Sequence, residues 1–288
     1  MSVAGAIKEL LAIAPLADSE HPYLLDKNVR PGALRVVPEN ADNLPDDSII
    51  KIGKDRAQAK ALRETNPERI VLTAGDLLLS AQDIDGHIWS AQTIQPGGAK
   101  YFVTGSRKEN NFHVVDSKNQ GLAALDATPV IVVAEGYATA DTLSQALAYP
   151  VVAAFDSGNL SKVAQDLRDR YPDKPIIIAG DDDCHHEVAT GNNPGKEKAL
   201  EAAELVNGIA VLPIFAPGEQ VTQKLSDFND LANKSALGIE AVKRQVGSVV
   251  KKALEQARDQ AKVEKLHSVH SGLEQNQQEK KQKRVLTR

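Results

Sequence analysis

Residues 128–140 read Thr-Pro-Val-Ile-Val-Val-Ala-Glu-Gly-Tyr-Ala-Thr-Ala, residues 150–159 Pro-Val-Val-Ala-Ala-Phe-Asp-Ser-Gly-Asn, and residues 175–183 Pro-Ile-Ile-Ile-Ala-Gly-Asp-Asp-Asp. Three times a short β-branched apolar run ends on small or acidic residues. Helix-length segments, Asp141–Leu147 and Leu160–Tyr171, lie between the runs. Continuous apolar strands alternating with helices predict a parallel sheet covered on both faces. Such sheets gather ligands beyond the carboxyl ends of their strands. Glu135 ends the first run, and Asp181, Asp182 and Asp183 end the third. Carboxylates distant in sequence are therefore expected at one edge. Alternate residues of an extended segment point the same way, so Asp181 and Asp183 share a site while Asp182 faces elsewhere. Carboxylates this close repel one another, and a hard cation such as Mg²⁺ is the usual remedy.

Further along the chain come a helix start at Gly195-Lys196 and the acidic segment Asp227-Phe228-Asn229-Asp230. Glu135-Gly136, Asp181-x-Asp183, that helix start and that segment, in this order, resemble the Toprim domain of bacterial primases, topoisomerases and some nucleases. The resemblance runs from about Thr128 to Leu231. It implies that Glu135, Asp181 and Asp183 are catalytic and hold Mg²⁺ or Mn²⁺. Facing carboxyl groups are then expected within about 4–6 Å of one another. In primases a loop similar to residues 227–230 supplies further metal or nucleotide contacts. Asp227 is the better match and Asp230 the second, although an Asx-turn before a helix explains the same residues. Asp156 either adds a carboxylate to the site or caps the helix that follows. Lys196, at a helix start with free N–H groups, is a candidate phosphate contact.

The chain has 288 residues, 42% hydrophobic and 25% charged, as in ordinary globular proteins. No apolar run reaches membrane-spanning length. Residues 1–14 lack the basic start and cleavage site of a signal peptide. A single cysteine, Cys184, rules out internal disulfides and a four-cysteine zinc ribbon, and it fits a cytoplasmic setting. The Cys184-His185-His186 run, followed by Gly191-Asn192-Asn193-Pro194-Gly195, is expected to be a mobile loop. Net charge is −5, so nucleic-acid binding must rest on local patches and metal-bridged phosphates.

Upstream, Ser2–Ile13 predicts a helix with Ile7, Leu10 and Leu11 on one face. Asp76–Ile94 predicts a hairpin about Asp85-Gly86. From Lys51 to Lys108 there are nine Lys and Arg against six Asp and Glu. The hairpin, then Gly97-Gly98-Ala99-Lys100-Tyr101-Phe102, then Arg107-Lys108, all before Glu135, resemble the amino-terminal half of the bacterial primase catalytic core. In that family a Lys-containing segment within a basic ridge holds template and nucleotide phosphates. The match gives Lys100, Tyr101, Arg107 and Lys108 this role. Thr93 stands where those primases usually have an Arg. His21-Pro22-Tyr23-Leu24 with Lys27, and Ile88-Trp89, are similar to plasmid- and phage-encoded primases.

The expected architecture is α/β: a smaller hairpin-containing basic α+β subdomain (1–127), then a Toprim-like parallel-sheet domain (128–235). A helix (236–262) and a basic disordered tail (263–288) follow. The resemblance implies a metal-dependent primase-type nucleotidyltransferase. Its partners would be single-stranded DNA, nucleoside triphosphates and a helicase or other replication or transfer protein, with no membrane. A Toprim nuclease and a catalytically silent nucleic-acid-binding subunit remain the alternatives.

Overall fold

The computed structural model describes residues 2–45 and 47–286, with side chains up to residue 263. The amino-terminal half comprises α1 (Val3–Ile13), α2 (Pro22–Lys27), β1 (Arg35–Val36), β2 (Ile50–Gly53), α3 (Arg56–Thr65), β3 (Ile70–Thr73), β4 (Leu77–Gln82), β5 (Ile88–Ile94) and β6 (Lys100–Phe102). The second half comprises β7 (His113–Val115), α4 (Leu122–Ala127), β8 (Ile131–Ala134), α5 (Tyr137–Leu147), β9 (Val151–Ala153), α6 (Ser157–Arg170), β10 (Ile176–Ala179) and α7 (Cys184–Thr190). It continues through α8 (Pro194–Leu205), β11 (Ile209–Val211), α9 (Glu219–Gln223), α10 (Phe228–Asn233) and α11 (Gly238–Leu286).

The second half is built on a five-stranded sheet, order β11-β10-β8-β9-β7. Its four strands β11, β10, β8 and β9 are parallel, and β7 closes one edge antiparallel to β9. Every residue of β8, β9 and β10 is buried, as unbroken β-branched runs demand when helices cover both faces. One face packs against α5, α10 and α11, and the other against α6 and α8. The register aligns Ala134 of β8 with Ala179 of β10 and Ala153 of β9. Glu135, Asp156 and Asp181 therefore leave the sheet from the same edge.

A four-stranded antiparallel sheet, β1-β4-β5-β6, carries the amino-terminal half. The hairpin turn is closed by Gly86 at φ +84°, which a side chain would strain. Ser2 caps α1 through its hydroxyl, and α1 buries Ala6, Ile7, Leu10 and Leu11 as its spacing predicts. A bridge between Gln82 and Phe112 joins the hairpin to the second sheet. One continuous core then takes Tyr23, Leu77 and Leu79 from the first half together with Val132, Tyr137 and Phe228 from the second. The cleft between the halves is thus set by packed side chains rather than by a linker.

Three expectations need correction. The Toprim-side sheet begins before residue 128, because β7 at His113–Val115 is one of its strands. A run of three apolar or aromatic residues is too short to announce itself. The Cys184–Thr190 segment is a helical turn, α7, ended by Gly191 at φ +82°. The backbone of α11 is helical to Leu286, where the composition predicts a disordered tail. Its Lys, Glu, Gln and Leu content favours helix. Thr287 and Arg288 lie outside the described residues. Among the described residues no helix is long and apolar enough to cross a membrane.

Candidate active site

Glu135 follows β8 directly, and the peptide behind it, Gly136, caps α5 in extended conformation. Asp181, Asp182 and Asp183 follow β10 after Gly180. Glu135 Oε1 and Asp181 Oδ1 are both buried and have no hydrogen-bond partner. A buried charged oxygen without a partner is costly, so a cation held between them would relieve both. Burial pushes the Glu135 carboxyl up to about 7. The facing carboxylates of Asp183, Asp156 and Asp227 push the same way, against a hydrogen bond from the Asp181 backbone N–H. Burial likewise holds Asp181 well above the usual carboxylate range, with Glu135, Asp227 and Asp183 adding repulsion and Lys100 drawing it down. Asp227 is also raised, by burial first and then by Asp230, with Lys27 and Lys100 opposing. Glu135, Asp156, Asp181, Asp183 and Asp227 thus share one field at the ends of the strands.

The alternation of side chains after β10 is as expected. Asp182 turns away and accepts a 2.7 Å hydrogen bond from Asn193 Nδ2. Asp183 stays with Asp181: a Cβ on Gly195 would lie 2.8 Å from the Asp181 carbonyl oxygen and 3.1 Å from Asp183 Oδ2. The glycine at the second position of α8 lets that helix press directly against the acidic turn. The ligand atoms of Glu135, Asp181 and Asp183 do not all lie within 4.8 Å of one another. Among the described residues the trio whose ligand atoms do lie within that span is Asp83, Asp85 and His87 at the hairpin turn. There the Asp83 oxygens are already taken, by the N–H groups of Asp85 and His87 and by Trp89 Nε1.

The structure brings Lys100 to the acidic edge. Its Nζ would stand 3.2 Å from a Cβ on Gly136, beside Glu135. Desolvation pulls the Lys100 ammonium below its ordinary value, while Asp227, Asp181 and Glu135 hold it charged. Tyr101, the next residue along β6, is exposed and belongs to a different cleft of about 390 Å³ lined by Arg56, Arg63, Asp76 and Thr93. Arg56 pairs there with Asp76. The position of the expected hairpin arginine, Thr93, therefore borders guanidinium groups supplied by α3 instead.

The remaining expected contacts divide. Lys108 donates to Asp156 Oδ2 at 2.6 Å, and Asp156 Oδ1 caps α6 through the Asn159 N–H. Asp156 thus caps and also adds charge to the edge. Phe155, just before it, holds φ +77°, a strained conformation for an aromatic residue, braced edge-on by Phe102 at 5.0 Å. Arg107 is turned outward, 4.4 Å over the Trp89 ring and 3.7 Å from Asp83. Asp227 caps α10 through the Asp230 N–H at 2.7 Å. Asp230 is engaged by Lys234 and by the Ser226 N–H, so it serves the helix start rather than the edge. Lys196 receives its place from Asn193, whose Oδ1 accepts the Lys196 N–H and the Asp183 N–H. Sequence reasoning left out Lys27 and Tyr23 as site residues. Both lie on α2; the Lys27 charge draws Asp227 down, and Asp227 in turn raises the Tyr23 hydroxyl.

This geometry defines a Toprim-type acidic edge faced by a lysine from a preceding antiparallel half. Residues 129–215 match the Toprim domain family model, and this part of the chain is a Toprim domain. The whole resembles the DnaG primase catalytic domain solved bound to ssDNA, at TM-score 0.51 and 15% identity over 85% of this chain and 78% of that one. That likeness establishes the fold. In sequence the chain is similar to DNA primase TraC of Escherichia coli, 39% identical over an alignment that covers 73% of this chain. A second DNA primase TraC of the same organism is 35% identical over an alignment that covers 82% of this chain. The chain spans about a quarter or less of these relatives, 24% and 20% of their lengths.

Proposed function

We propose that this chain is a metal-dependent primase-type nucleotidyltransferase core, which joins ribonucleotides into short primers on single-stranded DNA in plasmid or phage replication or transfer. The observation that carries this reading is Lys100 of the hairpin half, set against Gly136 beside the unpartnered Glu135 and Asp181 oxygens. A Toprim nuclease needs the carboxylates but not a lysine delivered by a separate antiparallel sheet. The similarity to DNA primase TraC supports the same reading.

The residues present fit Mg²⁺ or Mn²⁺, because the donors are all oxygen and two are buried without partners. Glu135, Asp181 and Asp183 would hold the ion, with Asp227 completing the set. When bound, it would neutralise triphosphate charge and lower the pKa of an attacking 3′-hydroxyl. The chain's own contribution is positional. Gly195 and Asn193 fix the Asp181–Asp183 turn, and the sheet register fixes Glu135 opposite it. Lys100 offers a compact positive charge to a phosphate oxygen in a desolvated place, where it counts for more than in water. Lys108, held by Asp156, and exposed Tyr101 would track template. A helicase or another replication or transfer protein would bring the template in the cytoplasm, consistent with the free Cys184.

Incubation with single-stranded DNA, labelled ribonucleoside triphosphates and Mg²⁺ or Mn²⁺ tests the reading. New short oligonucleotides are expected. DNA cleavage would establish the nuclease instead, and neither product would leave a binding subunit.

A further inference from the structure

Arg56 and Arg63 stand seven positions apart on α3, which places them two turns apart on one face of that helix. Asp55 caps α3 through the Gln58 N–H. A Cβ on Gly53 of β2 would lie 2.5 Å from the Ala59 nitrogen, so α3 lies hard against the parallel pair β2–β3. Both arginines line the cleft of about 390 Å³ beside Tyr101, together with the end of β3 and with Thr93 and Gln95. Successive residues of a strand face opposite ways. β6 thus sends Lys100 toward Gly136 and Tyr101 to this cleft. Whatever enters it is held on the opposite face of β6 from Lys100.

The walls and the floor differ in character. Tyr101 is 58% exposed and offers its ring as one wall. Arg63 donates from one Nη to the Val71 carbonyl oxygen at 3.2 Å, which fixes its guanidinium plane on the other side. In the floor, Thr73, Thr93 and Asp76 are all more than nine-tenths buried. Asp76 neutralises Arg56 through both of its carboxylate oxygens. The Thr93 hydroxyl donates to the Tyr101 carbonyl oxygen. The Thr73 hydroxyl, by contrast, is buried without a hydrogen-bond partner. Such a group is destabilising, and its retention here points to a polar edge that arrives with a ligand.

Phosphate fits this cleft poorly, because a carboxylate lies in the floor and takes up one of the two guanidinium charges. An unpaired base fits better. An aromatic ring and a guanidinium plane are the surfaces on which single-stranded bases stack. A guanidinium also donates two bonds to the O6 and N7 of guanine, and a hydroxyl can donate or accept beside it. We propose that this cleft is a base-reading slot for an unpaired guanine of the single strand, held by Tyr101, Arg63 and Thr73 away from the position being copied. The inference rests on the single-stranded DNA part of the reading above and not on its chemistry.

Fluorescence anisotropy of the full chain with single-stranded thymidine oligonucleotides tests this, with one central position changed to guanine or made abasic. The wild type should bind the guanine strand about tenfold tighter than the abasic one. Thr73→Val keeps the shape and removes the hydroxyl, so the preference should fall to about threefold with Tm unchanged or raised. Arg63→Lys keeps the charge but not the planar fork, and it should lose the preference as fully as Arg63→Ala. Equal affinity of the wild type for guanine and abasic strands overturns the proposal. So does rescue by Arg63→Lys, which would mark a phosphate contact, or an unchanged preference in Thr73→Val. Free GMP should displace the guanine strand only in large excess; displacement at equal concentration would assign the cleft to a free nucleotide and overturn the strand as its source. Primer synthesis without a guanine preference sinks this inference alone. A guanine preference without synthesis sustains it and sinks the polymerase reading.

Discussion

Removing the charge of Glu135 should change how stability depends on pH, in a way that the carboxylate cluster alone can produce. In the folded chain this carboxyl is lifted from 4.5 to about 7, chiefly by burial. A raised acid binds its proton more tightly folded than unfolded. Its contribution is therefore present at low pH and lost as pH climbs from about 4.5 to about 7. At about 1.4 kcal/mol for each tenfold change in proton affinity, the loss is about 3 kcal/mol at most, and nearer 2 after solvent screening. Buried His113 works in the opposite direction. Its imidazole is depressed from 6.5 to about 4 by burial, so it adds stability as pH rises through the same window. Asp181 and Asp227, also raised, act in the same direction as Glu135, so the wild-type profile mixes several groups and the informative quantity is a difference. Urea unfolding of wild type and Glu135→Gln, in chelator at several pH values from 5 to 8, should show the variant gaining about 2 kcal/mol relative to wild type by pH 7. Above pH 7 the gap should stay constant. Saturating Mg²⁺ should shrink or reverse it, because an ion at 100 times its Kd adds about 2.7 kcal/mol to the wild type only. A pH-independent difference, or one unaffected by Mg²⁺, would refute the claim that Glu135 stands in an uncompensated acidic site.

Other consequences are simpler to read. Asp181→Asn and Asp183→Asn should each abolish primer synthesis with the fold intact by circular dichroism, and Asp181→Asn should raise Tm in chelator as repulsion is relieved. Lys100→Ala should lower affinity for template or nucleotide and flatten the salt dependence by about one unit of slope, seen in binding titrations at several salt concentrations. Gly195→Ala would place a Cβ 2.8 Å from the Asp181 carbonyl oxygen, a contact with backbone that cannot yield cheaply. It should cost about 1–3 kcal/mol in urea unfolding and weaken Mn²⁺ binding followed by electron paramagnetic resonance.

Much of the sheet was legible because its strands are fully buried and so read as unbroken runs such as Val130–Val133 and Ile176–Ile178. The acidic edge was legible for the same reason, since residues just past aligned parallel strands must meet. What the sequence concealed depends on distant partners. β7 is three residues long and gains its place only by pairing with β9. Asp156 read equally well as cap or as site carboxylate, and the fold gives it both duties because its two oxygens face different groups. Arg107 and Lys100 looked alike in the sequence. β6 aims one at the carboxylates, and the loop after it lays the other on Trp89.

The most direct measurement supplies the chain with single-stranded DNA, Mg²⁺ or Mn²⁺, and a nucleoside triphosphate labelled on its γ-phosphate. A chain started from two nucleotides keeps that phosphate at its first residue, whereas an end-extending transferase releases it. The account predicts short labelled oligonucleotides from the wild type and none from Asp181→Asn. Unlabelled products, cleaved template, or label persisting in Asp181→Asn would contradict it.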